Sequence, residues 1–102
     1  MQSIDQIMDK EFPEDDRKTI YELAVSHHAV TNIHDLRTRM SGSGAFIQFH
    51  LEMPSDMPLK QAHQICDEVE FCLLKRFPQA EIFIHLDPHD ELPQNPLPYR
   101  IH

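Results

Sequence analysis

The stretch Ala45-Phe46-Ile47-Gln48-Phe49-His50-Leu51-Glu52-Met53 decides the fold. Apolar residues occupy every second position from Ala45 to Met53, and polar Gln48, His50 and Glu52 lie between them. Successive side chains of a β-strand point to opposite faces, so this alternation is typical of a strand with one buried face. The pattern predicts a half-buried strand over residues 45–53.

Turn and helix signals precede this strand. Both glycines of the chain lie in Ser41-Gly42-Ser43-Gly44, which predicts a hairpin turn after an earlier strand over residues 30–40. Further upstream, Pro13 is followed by acidic residues at 14–16, a pattern typical of a helix start. We therefore expect a first helix over residues 13–27.

A second helix and a third strand follow the hairpin. Apolar residues step by three and four positions and predict a helix over residues 57–76; they are Leu59, Ala62, Cys66, Val69 and Leu73. An apolar run then predicts a strand over residues 81–86, closed by Pro88.

The element order predicts an α+β fold, an open αββαβ sandwich in which two helices pack against one three-stranded sheet. The second strand, second helix and third strand would form a right-handed crossover. The folded domain would span residues 13–90, after a lead-in over 1–12 and before a proline-rich tail over 91–102 that is extended or disordered. So small a sheet favours a homodimer that covers exposed surface.

Charge and hydropathy exclude several classes of partner. The 102 residues carry a net charge of −8, whereas a nucleic-acid partner requires a basic stripe. No apolar run is long enough to span a bilayer, and no signal segment is present, so the chain is expected to be soluble as written or one piece of a longer membrane protein. Cys66 and Cys72 are expected to be buried thiols, not a disulfide.

The run Ile82-Phe83-Ile84-His85-Leu86-Asp87-Pro88 carries the candidate chemistry. His85 and Asp87 share a strand face and can point at one object, which favours a divalent-cation site. Three more histidines could join them: His34, His50 and His63. The alternatives are a strand end capped by polar groups for His85 with Asp87, and a histidine at the core edge for His63.

The hairpin register decides whether His34 can join His50. A two-residue turn pairs His34 with Leu51 and turns His50 to the other face, whereas a three- or five-residue turn pairs His34 with His50. The first register suits the apolar residues better. The site requires the second register, a bulge, or a His34 in the loop before the strand, and we favour the loop.

Four motifs in this order resemble the cytosolic C-terminal domain of cation diffusion facilitator transporters, of the bacterial zinc and ferrous-iron efflux type. They are Ile33-His34-Asp35-Leu36-Arg37-Thr38-Arg39, Phe46-Ile47-Gln48-Phe49-His50-Leu51-Glu52-Met53, Gln61-Ala62-His63 and Ile84-His85-Leu86-Asp87-Pro88. The resemblance covers roughly residues 5–90. It implies a ferredoxin-like, metallochaperone-like domain that forms a homodimer below the membrane domain of an inner-membrane transporter and binds zinc to regulate efflux.

The resemblance also assigns roles to residues. It implies histidine ligands at His34, His50, His63 and His85, a bridging Asp87, and a carbonyl from Leu86. Two tetrahedral Zn²⁺ ions per subunit would use these groups with water; Fe²⁺, Cd²⁺ and other divalent cations are alternatives. Asp9 resembles an aspartate of a charge interlock with the membrane domain.

The leading hypothesis is a regulatory zinc-binding domain and not an enzyme. A zinc-dependent hydrolase and a stand-alone metal-binding protein are the rivals; the hydrolase lacks an H-E-x-x-H motif and the chaperone type lacks its cysteine pair. Asp35, Arg37 and Arg39 alternate along the first strand, where they suit either a dimer or membrane-domain contact or a solvated face.

Overall fold

The computed structural model describes residues 10–42 and 44–89. Asp9, most of the predicted lead-in and the predicted tail lie outside the described residues. Five elements follow one another, and their order confirms the predicted α+β fold: α1 (Glu14–Val25), β1 (Asn32–Ser41), β2 (Gly44–Pro54), α2 (Leu59–Arg76) and β3 (Ala80–His89).

The sheet has the order β1-β2-β3, with β1 antiparallel and β3 parallel to the central β2. Alternate residues of β2 are buried beneath the helices, as the opening pattern predicted: Ile47, Phe49, Leu51 and Met53. The opposite side of the sheet, called the outer face below, carries Gln48, His50 and Glu52, which are all half-buried. Hydrophobic burial on one face therefore leaves the polar residues of β2 together on the other.

Each helix buries an apolar stripe against the sheet. Pro13 precedes α1 and its carbonyl accepts hydrogen bonds from the first-turn amides, while Ile20 and Ala24 are buried. The buried stripe of α2 is Ala62, Ile65, Val69 and Leu73. The prediction that Leu59 belongs to this stripe is wrong, because Leu59 lies in the first helical turn and is 69% exposed.

The segment before α1 is fixed to the edge strand β1. Lys10 and Met40 exchange backbone hydrogen bonds of 3.0 and 2.7 Å. The hydroxyl of Thr38, a buried polar side chain, accepts hydrogen bonds from the Phe12 amide and the Arg17 guanidinium, each 3.1 Å long. Burial of that hydroxyl is tolerated because both partners are present.

The third strand is longer than predicted. It continues through Asp87 and Pro88 to His89, and each of its residues pairs with β2. Pro88 does not end the strand because β3 lies at the sheet edge, where a missing amide donor can face away from the neighbouring strand. This extension keeps Asp87 and His89 on the outer face beside β2.

Two further expectations concern membrane spans and the cysteines. Among the described residues, α1 and α2 both lack the continuous apolar length that a bilayer crossing requires. Cys66 is half-buried and Cys72 is exposed, so the expectation of a buried thiol is wrong for Cys72; both thiols are free.

Candidate metal centre

A β-bulge in β1 brings His34 opposite His50. From Ser41 to Arg37 the hairpin keeps the register of a two-residue turn, but the register shifts between Arg37 and His34, and His34 then pairs with His50. Asp35 lies in this bulge with a φ of 58°, a left-handed conformation that aspartate tolerates better than most residues. The loop placement that we favoured for His34 is therefore wrong: His34 is a strand residue, and the bulge turns it to the face of His50.

The parallel pairing of β2 with β3 adds the remaining groups. His50 pairs with His85, and Glu52 pairs with Asp87. The imidazole rings of His34 and His50 stack at 5.0 Å between centroids, and those of His50 and His85 at 4.9 Å. Three strands thus present a row of three imidazoles on the outer face.

One carboxylate oxygen of Asp87 lies between two of these imidazoles. Asp87 Oδ2 is 3.0 Å from His50 Nδ1 and 3.3 Å from His34 Nε2. The ligand atoms that His34, His50 and Asp87 offer lie within 4.8 Å of one another. We call these three residues the His–Asp cluster.

The chemistry of the His–Asp cluster fits a divalent cation. Two neutral imidazoles and a carboxylate are ligands for zinc and its neighbours in the transition series, and three protein ligands leave a position open on a tetrahedral ion. The side chains are 30–46% exposed, so an ion can enter from solvent. His85 is exposed beside the cluster, in ring contact with His50.

The described contacts do not bring His63 to the His–Asp cluster. His63 is exposed on α2, and this helix packs on the face of the sheet opposite the cluster.

The bulge in β1 interrupts the predicted alternation of Asp35, Arg37 and Arg39. The Asp35 carboxylate lies 3.5 Å from the Arg37 guanidinium and 3.8 Å from His50 Nε2, so it borders the cluster.

Glu52 and His89 also belong to this surface and were not predicted. Glu52 Oε2 lies 2.6 Å from His34 Nδ1, and Glu52 Oε1 lies 3.1 Å from His89 Nδ1. The two-residue spacing of His85, Asp87 and His89 was the available signal. The predicted strand ends before His89, whereas the observed strand continues through Pro88 to His89.

Two other polar features involve residues that are not members of the His–Asp cluster. A cleft of about 500 Å³ follows the edge of β1 and is lined by Lys10, Glu11 and residues 35–39. Burial, and then the carboxylates of Asp67 and Glu70, raise the pKa of the Cys66 thiol above its ordinary value. A thiol with a raised pKa is a poor metal ligand, since binding requires the thiolate.

The chain resembles known proteins over most of its length. Residues 12–89 match the family model described as cation efflux protein, cytoplasmic domain. The chain is 46% identical over 93 residues to the cation-efflux pump FieF of Pectobacterium carotovorum and 41% identical to that of Escherichia coli O1:K1. The alignment covers 91% of the chain but spans 31% of the length of these relatives.

Solved structures share the fold. A Zn form of the transporter CzrB superposes with a TM-score of 0.70 at 33% identity, covering 85% of this chain and all of that one. The metal-bound C-terminal domain of the CzcD transporter from Thermotoga maritima gives a TM-score of 0.68 at 29% identity and covers 74% of this chain and 88% of its own.

Proposed function

This chain belongs to the family of cation efflux protein cytoplasmic domains, and from that premise we propose that it is the zinc-binding, dimerising regulatory domain of a divalent-cation exporter. The observation that carries the proposal is the position of Asp87 Oδ2, within 3.3 Å of ring nitrogens from both His34 and His50. The similarity to a Zn form of CzrB supports zinc as the ion.

The residues that would hold zinc are those of the His–Asp cluster together with His85. Asp87 and His85 come from β3, His50 from β2 and His34 from β1, so an ion on this face would tie all three strands together. We propose two ions per subunit, because the imidazoles of His34, His50, His85 and a His63, together with both oxygens of a bridging Asp87, supply six of the eight bonds that two tetrahedral ions require. The Leu86 carbonyl and water are the remaining candidates.

We assign His63 to the cluster of a second protomer. Its helix packs on the inner face, so a second copy of the chain is the simpler source of this imidazole at the outer face. Zinc would then bind more tightly to the dimer than to separated subunits. Replacement of His63 with alanine should lower the zinc count from two ions to one and abolish zinc-dependent dimerisation in analytical ultracentrifugation; unchanged stoichiometry would remove His63 from the site.

Regulation follows from differential affinity. A cation that binds one arrangement of two protomers better than another shifts the population toward that arrangement, by no more than the difference in binding free energy. In a full-length exporter, rising cytosolic zinc would therefore select the arrangement in which both outer faces are bridged. The membrane domain of the same protein is the partner that would respond to it.

Calorimetric titration of the metal-free chain with zinc tests the proposed function. Binding should release protons as histidines lose them and should raise the melting temperature. The double variant His85→Ala/Asp87→Ala should lose both effects. If the variant binds zinc and melts like the wild type, the proposed site is wrong.

A further inference from the structure

His27 joins the turn that follows α1 to the side of α2. Its Nδ1 atom accepts a hydrogen bond of 3.1 Å from the amide of Ala29, two residues further along the same turn. Its Nε2 atom lies 2.6 Å from Glu68 Oε1 on α2. The His27 side chain is 16% exposed, so water competes poorly for either ring nitrogen.

These two hydrogen bonds assign the proton of the neutral imidazole. A backbone amide can only donate, so Nδ1 carries the lone pair; an ionised carboxylate can only accept, so Nε2 carries the proton. Gln64 Nε2 donates to the other oxygen of Glu68 at 3.4 Å. The hydrogen bond with His27 lowers the pKa of Glu68 below its ordinary value, so Glu68 is ionised at the pH where histidines change charge. Neutral His27 therefore satisfies both of its neighbours at once.

Protonation of His27 changes the two contacts in opposite ways. The added proton occupies Nδ1 and faces the N–H of Ala29, and two donors cannot share a hydrogen bond. At Nε2 the hydrogen bond to Glu68 becomes stronger, because donor and acceptor then both carry charge. The titratable groups that face His27 are Glu68 from α2 and His28 from its own turn, whose ring stacks on that of His27 at 4.8 Å between centroids. A second positive charge on His28 would add repulsion within the turn.

We propose that His27 is a proton-operated clasp, which closes the turn between α1 and β1 when it is neutral and releases the Ala29 amide when it is protonated. The ring stays on α2 in both states, because the contact with Glu68 survives protonation. The clasp converts a change of pH between about 5 and 8 into a local change of the turn.

The hydrogen bonds that follow Ala29 confine this release to the turn. Val30 is buried, and its amide donates to the His27 carbonyl at 3.0 Å. The Thr31 amide donates to the Glu52 carbonyl at 2.8 Å. Neither bond uses the imidazole, so the turn loosens at Ala29 while the domain stays folded.

Amide exchange and histidine ¹⁵N spectra of the chain in a chelator test the clasp. At the upper end of the range the His27 ring should be protonated on Nε2. Between about pH 8 and pH 5 the protection factor of the Ala29 amide should fall by about 2–10-fold, which corresponds to the loss of one neutral hydrogen bond. The protection factor of the Thr31 amide should not change over the same range.

Three variants separate the clasp from a general effect of acid. His27→Asn keeps an acceptor for the amide two residues on, as in an Asx turn, but cannot be protonated, so Ala29 should stay protected at both ends of the range. His27→Ala should leave Ala29 unprotected at both ends. The matched control His28→Gln removes the neighbouring imidazole and should retain the pH dependence of Ala29.

The outcomes that contradict the clasp are equally specific. Protection of Ala29 that falls with acid in His27→Asn as it does in the wild type would overturn the inference, and so would a neutral His27 protonated on Nδ1. Loss of the pH dependence in His28→Gln would assign the effect to His28 instead. If His27→Ala does not fold, the comparison of His27→Asn with the wild type decides the question.

Discussion

Replacement of Asp87 with asparagine separates metal binding from folding. The change removes one negative charge and keeps the size of the side chain, so the outer face retains its shape. Asp87 Oδ2 lies 3.0 Å from His50 Nδ1 and 3.3 Å from His34 Nε2, so one atom contributes to the placement of both imidazoles. We expect a large loss of zinc affinity and a small loss of stability.

The two magnitudes follow from the structure. Structural zinc sites bind with about 10–16 kcal/mol across four ligands, or about 3 kcal/mol per ligand, which is a factor of about 100 in Kd. In the metal-free chain the Asp87 side chain is 35% exposed and its imidazole partners 30–46%. Ion pairs at that exposure stabilise by at most about 1 kcal/mol, so the melting temperature should fall by no more than about 4–8 °C.

Competition with a chromophoric chelator measures the affinity, and thermal unfolding in a chelator measures the stability. Asp67→Asn is the matched control, since Asp67 is exposed on α2 and loses the same charge. The reasoning is refuted if Asp87→Asn binds zinc within about threefold of the wild type, or if the control loses as much.

Three further outcomes are expected. Asp35→Val should lower the free energy of unfolding in urea by about 1–3 kcal/mol while Asp35→Gly costs little, because the φ of 58° disfavours branched side chains; equal values would contradict the bulge. The hydrogen bond with His27 lowers the pKa of Glu68 below its ordinary 4.5, so this contact stabilises above pH 4.5 and the stabilisation is lost as pH falls through the folded-state pKa. The gap in melting temperature between wild type and Glu68→Gln should therefore close on acidification, and a gap that widens would reverse the sign. Iodoacetamide should alkylate exposed Cys72 before Cys66, whose raised pKa keeps it protonated; mass mapping that shows the opposite order would contradict the helix placement.

The alternation of β2 and the helical spacing of α2 were sufficient to predict the element order. Each of these patterns reflects local burial on one face, which a sequence records directly. The exposure of Leu59 was not predictable from spacing, because a residue in the first turn of a helix can extend past the sheet that covers the rest.

The details of the candidate metal centre depend on register, which local patterns specify poorly. The bulge at Asp35 changes the partner of His34 without changing the apolar pattern, so the sequence left loop and bulge as alternatives. Glu52 and His89 become neighbours only through the parallel pairing of β2 with β3 beyond Pro88. Contacts between strands that are joined by a helix have no short-range sequence signal.

The most direct test of a cation site on the outer face is anomalous diffraction at the zinc edge from zinc-loaded crystals of this chain. We predict a peak about 2.0–2.2 Å from His50 Nδ1, His34 Nε2 and a carboxylate oxygen of Asp87. Peaks found only elsewhere, with the imidazoles of His34 and His50 turned away from Asp87, would contradict the account.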